Sequence, residues 1–186
     1  MEAVQTALAE IKAANQTPLT AQEPALTGDE LETYRLMRQK AVAYIGTDKA
    51  KSRGQVKQKL ALKLPDKVQK YPELPDLVVD KLIEDRYLDE KLCGKRLIKR
   101  HSGRSQKSKA YIEQLLYQQG ISRPVIKDLI DSLEDDRITA ERYFELRGDR
   151  WDYTDPVKIA RHFASRGYSP SISLEIMRKY ADGEEG

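Results

Sequence analysis

A chain of 186 residues has room for one conventional domain or for several small ones, and 39% hydrophobic against 34% charged residues describe a folded, water-facing protein with thin cores. A single cysteine, Cys93, excludes an internal disulfide, and one Cys with two distant histidines, His101 and His162, excludes a Cys/His metal cluster. The net charge of +3 hides an asymmetry: Asp89 to Ala110 carries eight basic residues against two acids, whereas Asp128 to Glu141 carries six acids against one base, so a basic and an acidic face are expected.

Residues 1–27 are expected as a tail. Val4, Leu8 and Ile11 can line one side of a short helix, but Pro18 and Pro24 interrupt any longer one, which leaves a loosely attached helix and disorder both open. Met1 to Ala14 contains acids and no apolar run of membrane-spanning length, so no membrane partner is expected, and the lone Cys93 makes a reducing cytoplasm the expected compartment.

The first module is predicted over residues 28–88. Thr27 stands three residues before Glu30, the capping-box spacing, and Leu31, Tyr34, Met37, Ala41, Tyr44 and Ile45 form a helical stripe ended by Gly46. Ser52 caps a second helix in which Val56, Leu60 and Leu64 recur every four residues until Pro65 stops it. Asp66 to Leu74 is predicted as a connection, and Pro75 opens a third helix whose apolar side is Leu74, Val78, Val79 and Leu82.

The second module is predicted over residues 89–138. It starts with a helix carrying Leu92, Cys93 and Leu97 on a weak apolar side and a row of bases on the other, followed by a turn around Gly103. Two further helices meet at Gly120, with Ser122 as a cap and Pro124 in the first turn. The third module, residues 139–182, is anchored by Tyr143, Phe144 and Leu146 and interrupted at Gly148. Asp155-Pro156 and Ser169-Pro170 then open its last two helices, and Trp151 with Tyr153 is expected as a plug between modules or, if exposed, as a binding anchor.

Near-repetition supports this division. Ile112, Leu116, Gly120, Ile121, Ser122, Val125, Leu129 and Ile130 correspond to Ile159, Phe163, Gly167, Tyr168, Ser169, Ile172, Ile176 and Met177, always 47 positions apart. Val78, Val79, Leu82, Asp85 and Arg86 match Leu129, Ile130, Leu133, Asp136 and Arg137 at a spacing of 51. A unit this small cannot bury its apolar stripe alone, and stacked copies can. The expected fold class is therefore all-α: a tandem array of three three-helix modules, elongated or crescent-shaped, with nine helices and no strand.

Four segments carry a resemblance. Ser52-Arg53-x-x-Val56-x-x-Lys59-Leu60 is similar to the SR-x-x-L-x-x-KL segment of the RecX family of recombinase regulators. Val79-x-x-Leu82-x-x-x-Arg86-Tyr87-Leu88-Asp89-Glu90 resembles that family's V-x-x-L-x-x-x-G-Y-LDD joint, with Arg86 in place of Gly and Glu90 in place of the second Asp. Ile112-x-x-x-Leu116-x-x-x-Gly120-Ile121-Ser122 and Phe163-x-x-Arg166-Gly167-Tyr168-Ser169 resemble its later segments, while Ser108 replaces a frequent Gly after Lys107. The resemblance spans roughly Leu31 to Tyr180. It implies a regulatory protein without enzymatic activity that lies in the groove of the RecA nucleoprotein filament and inhibits recombination and ATP hydrolysis, with consequences for DNA repair and the SOS response.

The residues offer no catalytic cluster, metal site or cofactor motif: His101 and His162 stand beside no triad partner, and the carboxylates sit at helix ends, where caps need them. Candidate partner- or DNA-binding residues are Arg53, Lys57 and Lys59 in the first module and Lys95, Arg96, Lys99, Arg100, Arg104, Lys107 and Lys109 in the second. Lys95/Lys99 and Arg96/Arg100 are four apart and share helix faces. Such a run serves either as a solvated surface or as a weak, non-specific contact for phosphate. A monomer bound to the RecA filament is expected. The alternatives are a helix-turn-helix DNA-binding protein and a general helical-repeat scaffold.

Overall fold

A computed structural model describes residue 26 and residues 28–147 and 155–181. The expected tail, the Thr27 cap, the Gly148 break and the Trp151/Tyr153 plug lie outside the described residues. The described residues are all-α: α1 Gly28–Ile45, α2 Arg53–Lys63, α3 Pro65–Lys70, α4 Leu74–Glu84, α5 Glu90–Arg100, α6 Lys109–Gln118, α7 Arg123–Asp131, α8 Asp136–Glu145, α9 Pro156–Ala164 and α10 Pro170–Ala181. A 3-10 turn, Gly103–Ser105, joins α5 to α6.

Buried side chains form three separate clusters. α1, α2 and α4 bury Tyr34, Met37, Ile45, Val56, Leu60, Val78 and Leu82 together. α6 and α7, with the Ile121 that joins them, bury Ile112, Leu116, Ile126 and Leu129, and Cys93, Leu97 and Ile98 of α5 pack half-buried against them. α8, α9 and α10 bury Ala140, Tyr143, Phe144, Ile159, Phe163, Tyr168 and Ile176. We call each set of helices a group. The third group compensates for its small size with rings, since Phe163 lies 5.5 Å from Tyr168 and edge-on to Tyr143 at 6.0 Å. Each such pair contributes about 0.5–1.5 kcal/mol beyond the area it buries.

Local chemistry sets most helix ends. Ser52 accepts from the Gln55 N–H while the Gln55 side chain accepts from the Ser52 N–H, a complete capping box. Asp89, Ser108 and Asp155 accept from the N–H three residues on. Ser122 stands at the cap position of α7 but makes no side-chain cap bond.

The sequence and the structure part at four places. The predicted connection from Asp66 to Leu74 contains a helix that Pro65 starts, because its missing N–H costs nothing in a first turn, so the first group has four helices and the described residues ten. α8 begins at Asp136 behind the Asp135 cap, so a boundary at residue 139 would fall inside it. Leu146 is exposed and does not anchor the third group. Asp85 and Arg86 close α4, whereas Asp136 and Arg137 open α8, so that part of the 51-residue match does not hold in three dimensions. Arg86 takes a left-handed φ of 59°, the conformation a glycine would adopt without strain.

Candidate polyanion-binding strip

The basic candidates fall into two sets once their surroundings are known. Arg53 bonds Asp80 at 2.6 Å and reaches Asp76 at 3.9 Å, and Lys57 bonds both Asp76 oxygens at 2.8 Å, which ties the start of α2 to α4. Lys59 lies over the Tyr44 ring at 5.3 Å. Arg96 bonds Asp48 at 2.8 Å. These four cations hold groups of this chain, and as partially exposed contacts they add little to its stability. Sequence alone could not show this, because the acids that claim Arg53 and Lys57 sit on α4, well down the chain.

Lys95, Lys99, Arg100 and Arg104 are exposed, and none enters an ion pair among the described residues. They run along the outer side of α5 and into the 3-10 turn. Lys99 and Arg100 occupy the last turn of α5, where the helix dipole favours cations. Next in line is Lys107, whose Nζ donates to the Ser165 carbonyl at 3.0 Å and sits 4.3 Å from the Tyr111 ring centre. Burial and the neighbouring Arg166 both push the Lys107 ammonium below its ordinary value. Burial, followed by Lys107 and Arg100, does the same to His101. Crowded cations of this kind raise the local positive potential from α5 to the end of α9.

Arg166, which is not among the sequence candidates, belongs to this neighbourhood. α9 ends at Ala164, and Arg166 lies in the turn after it, where its Nη1 donates to the Gln106 carbonyl at 2.9 Å. Its guanidinium covers the Tyr143 ring at 4.3 Å, and its Nε donates to His162 Nε2 at 3.2 Å. Burial, then Arg166, then Arg147 hold His162 below the usual imidazole range. His162 Nε2, which accepts from Arg166, belongs to a structural network that also brings the Tyr143 hydroxyl within 2.7 Å of the same nitrogen.

Lys109 stands at the start of α6, where its backbone N–H donates to Asp136 Oδ1 at 2.8 Å. It borders a crevice of ≈ 190 Å³ shared with His101, Gln106, Ser132, Glu134 and Asp136. The crevice mixes both charges, and burial raises the Asp136 carboxyl above its ordinary value. Among the described residues no cluster of His, Cys, Asp or Glu could hold a metal ion, and no helix is long and apolar enough to cross a membrane.

The strip can hold phosphates or carboxylates by charge at low specificity. It offers point charges on long stems and no rigid pocket. Comparison of the chain with protein-family models, curated proteins and solved structures finds no match.

Proposed function

We propose that the chain is a regulatory protein of the RecX kind, which binds the RecA nucleoprotein filament in the cytoplasm, acts as a monomer and inhibits recombinase and ATPase activity without catalysing a reaction itself. One observation carries this reading: segments that resemble the family are the ones that join the groups. Ser52 donates to the Gln119 carbonyl and Gly54 to the Gly120 carbonyl, which links the first segment to the third. Ser108 donates to the Arg166 carbonyl at 3.0 Å, beside the last segment. Joined groups with an unpaired cationic strip suit a docking surface along a repeating, charged partner. The free cations Lys95, Lys99, Arg100 and Arg104 are the expected contacts, and Arg53, Lys57 and Arg96 are expected to act through the fold.

The test is RecA-dependent, DNA-stimulated ATP hydrolysis at substoichiometric protein. Inhibition that weakens when all four free cations become Gln supports the reading, and no effect at any ratio removes it.

The helix-turn-helix alternative is less well supported. A recognition helix following the Gly120 turn would be α7, whose exposed charges are mixed: Arg123 and Lys127 beside Asp128 and Asp131. Such a face repels about as much phosphate as it attracts. DNA binding by this chain is therefore expected to be sequence-blind, with a salt slope of about 3 to 4 if all four free cations meet phosphates.

A further inference from the structure

The two joints between groups use the same parts at the same places. In each, the second helix of one group points its N-terminus at the next group. The cap residue is completely buried, Ser52 in the first joint and Ser108 in the second. The following N–H donates to a carboxylate at the start of the next group's first helix: Arg53 N–H to Glu90 Oε1 at 3.2 Å, and Lys109 N–H to Asp136 Oδ1 at 2.8 Å. The glycine turn after the next group's second helix packs against this helix start, Gly120 on Gly54 and Gly167 on Ser108 and Tyr111. A serine followed by buried apolar residues four and eight positions on marks this end, as Ser52-Val56-Leu60 and Ser108-Ile112-Leu116. Acid, small residue and large residue at the same spacing mark the receiving end, as Glu90-Gly94-Ile98 and Asp136-Ala140-Phe144.

Both patterns occur a third time, altered where a further joint would begin. In the third group the cap pattern is Asp155-Ile159-Phe163, and the residue after the cap is Pro156. Proline has no N–H to give an incoming carboxylate, and the Asp155 carboxylate would face it with like charge. The Asp155 cap is only half-buried, whereas the caps of the first two groups are completely buried. At the other end the receiving pattern is Asp29-Thr33-Met37, with Thr33 and Met37 buried as their counterparts require. Asp29 already has occupants: the Lys70 and Lys67 ammonium groups and the Tyr71 hydroxyl bond it at 2.6, 3.2 and 3.0 Å. These come from α3 and the residue after it, and neither other group has a helix there.

We propose that the chain is an array closed at both ends, in which Asp155-Pro156 and α3 are stop signals that refuse a further group, including one from a second copy of the chain. The number of groups, and with it the length of surface a single molecule presents, is then fixed by these two devices. This inference does not depend on the partner proposed above.

Writing the third group's ending into the second joint tests it. In the full chain, S108D/K109P keeps a good cap and a first-turn proline for α6 but removes the N–H that Asp136 accepts. Amide exchange at residue 108, whose N–H bonds the Arg166 carbonyl, should accelerate about tenfold or more while amides within α6 keep their protection. K109A, which retains the N–H, should leave that exchange within about twofold. Unchanged protection at residue 108 in S108D/K109P would overturn the proposal. If α6 itself loses protection in that variant, sedimentation of the unaltered chain decides. A monomer from low to high micromolar concentration supports closed ends, and reversible chain-to-chain growth refutes them.

Discussion

The joint between the first and second groups and the joint between the second and third share a plan but are held differently. The first is backbone against backbone: the Gly54 N–H donates to the Gly120 carbonyl at 3.2 Å, and a Cβ on Gly120 would stand 2.6 Å from Gly54 Cα. The second has one backbone bond, Ser108 N–H to the Arg166 carbonyl at 3.0 Å, and is further fastened by side chains, with Lys107 on the Ser165 carbonyl and Arg166 on the Gln106 carbonyl. Close backbone contact leaves no room for a change in either glycine, whereas long side chains can shift. A common geometry can therefore tolerate very different amounts of sequence change.

The largest effect is expected at the first joint. Gly120→Ala combines a left-handed φ of 69° with a backbone clash, and should cost about 3 kcal/mol or more by denaturant unfolding, with the Gly54 amide losing exchange protection first. Gly167→Ala is the matched change at the second joint. Its φ of 83° is as demanding, but the new Cβ meets the Ser108 Oγ at 2.5 Å and the Tyr111 Cβ at 2.8 Å, of which the hydroxyl can rotate away and only the Cβ is fixed. It should cost about 2 kcal/mol, and equal losses for the two variants would break the comparison.

A smaller effect is expected from Asp136→Asn, which keeps an acceptor for the Lys109 N–H and deletes the charge. Burial raises the Asp136 pKa above its ordinary 3.8 in the folded chain. The folded state thus holds the proton more tightly, and this residue's contribution to stability is greatest below pH 3.8 and declines as pH rises through the folded value. Thermal melts of D136N should lack that decline and match or exceed the parent near neutrality. A D136N chain less stable than the parent at pH 7 would mean that the charge itself holds the second joint. The smallest change is Arg86→Gly, which relieves the left-handed backbone between α4 and α5 and should stabilise the first group by about 0.5–1 kcal/mol, read by the denaturant midpoint.

Helices were legible because their signals are local. Ser52 before Val56, Asp155 before Pro156, and the glycines at 120 and 167 announce ends and turns within four residues. The joints were not legible, because they pair residues far apart: Ser52 meets Gln119 across 67 positions, and no pattern around either names the other. The same distance explains the basic candidates. Charge density drew attention to Arg53 and Lys57 as much as to Lys99 and Arg100, and only the placement of Asp76 and Asp80 separates them. The α3 helix was missed because a proline that ends one helix can begin another on the next residue.

The Ser52 to Gln119 bond also sets a schedule for the nascent chain. The cap of α2 is made early, yet the carbonyl that receives its hydroxyl arrives 67 residues later, about 3 to 13 s at ordinary elongation rates. During that interval the end of the first group that is finally hidden faces solvent, and on a ribosome it is open to any passing chaperone.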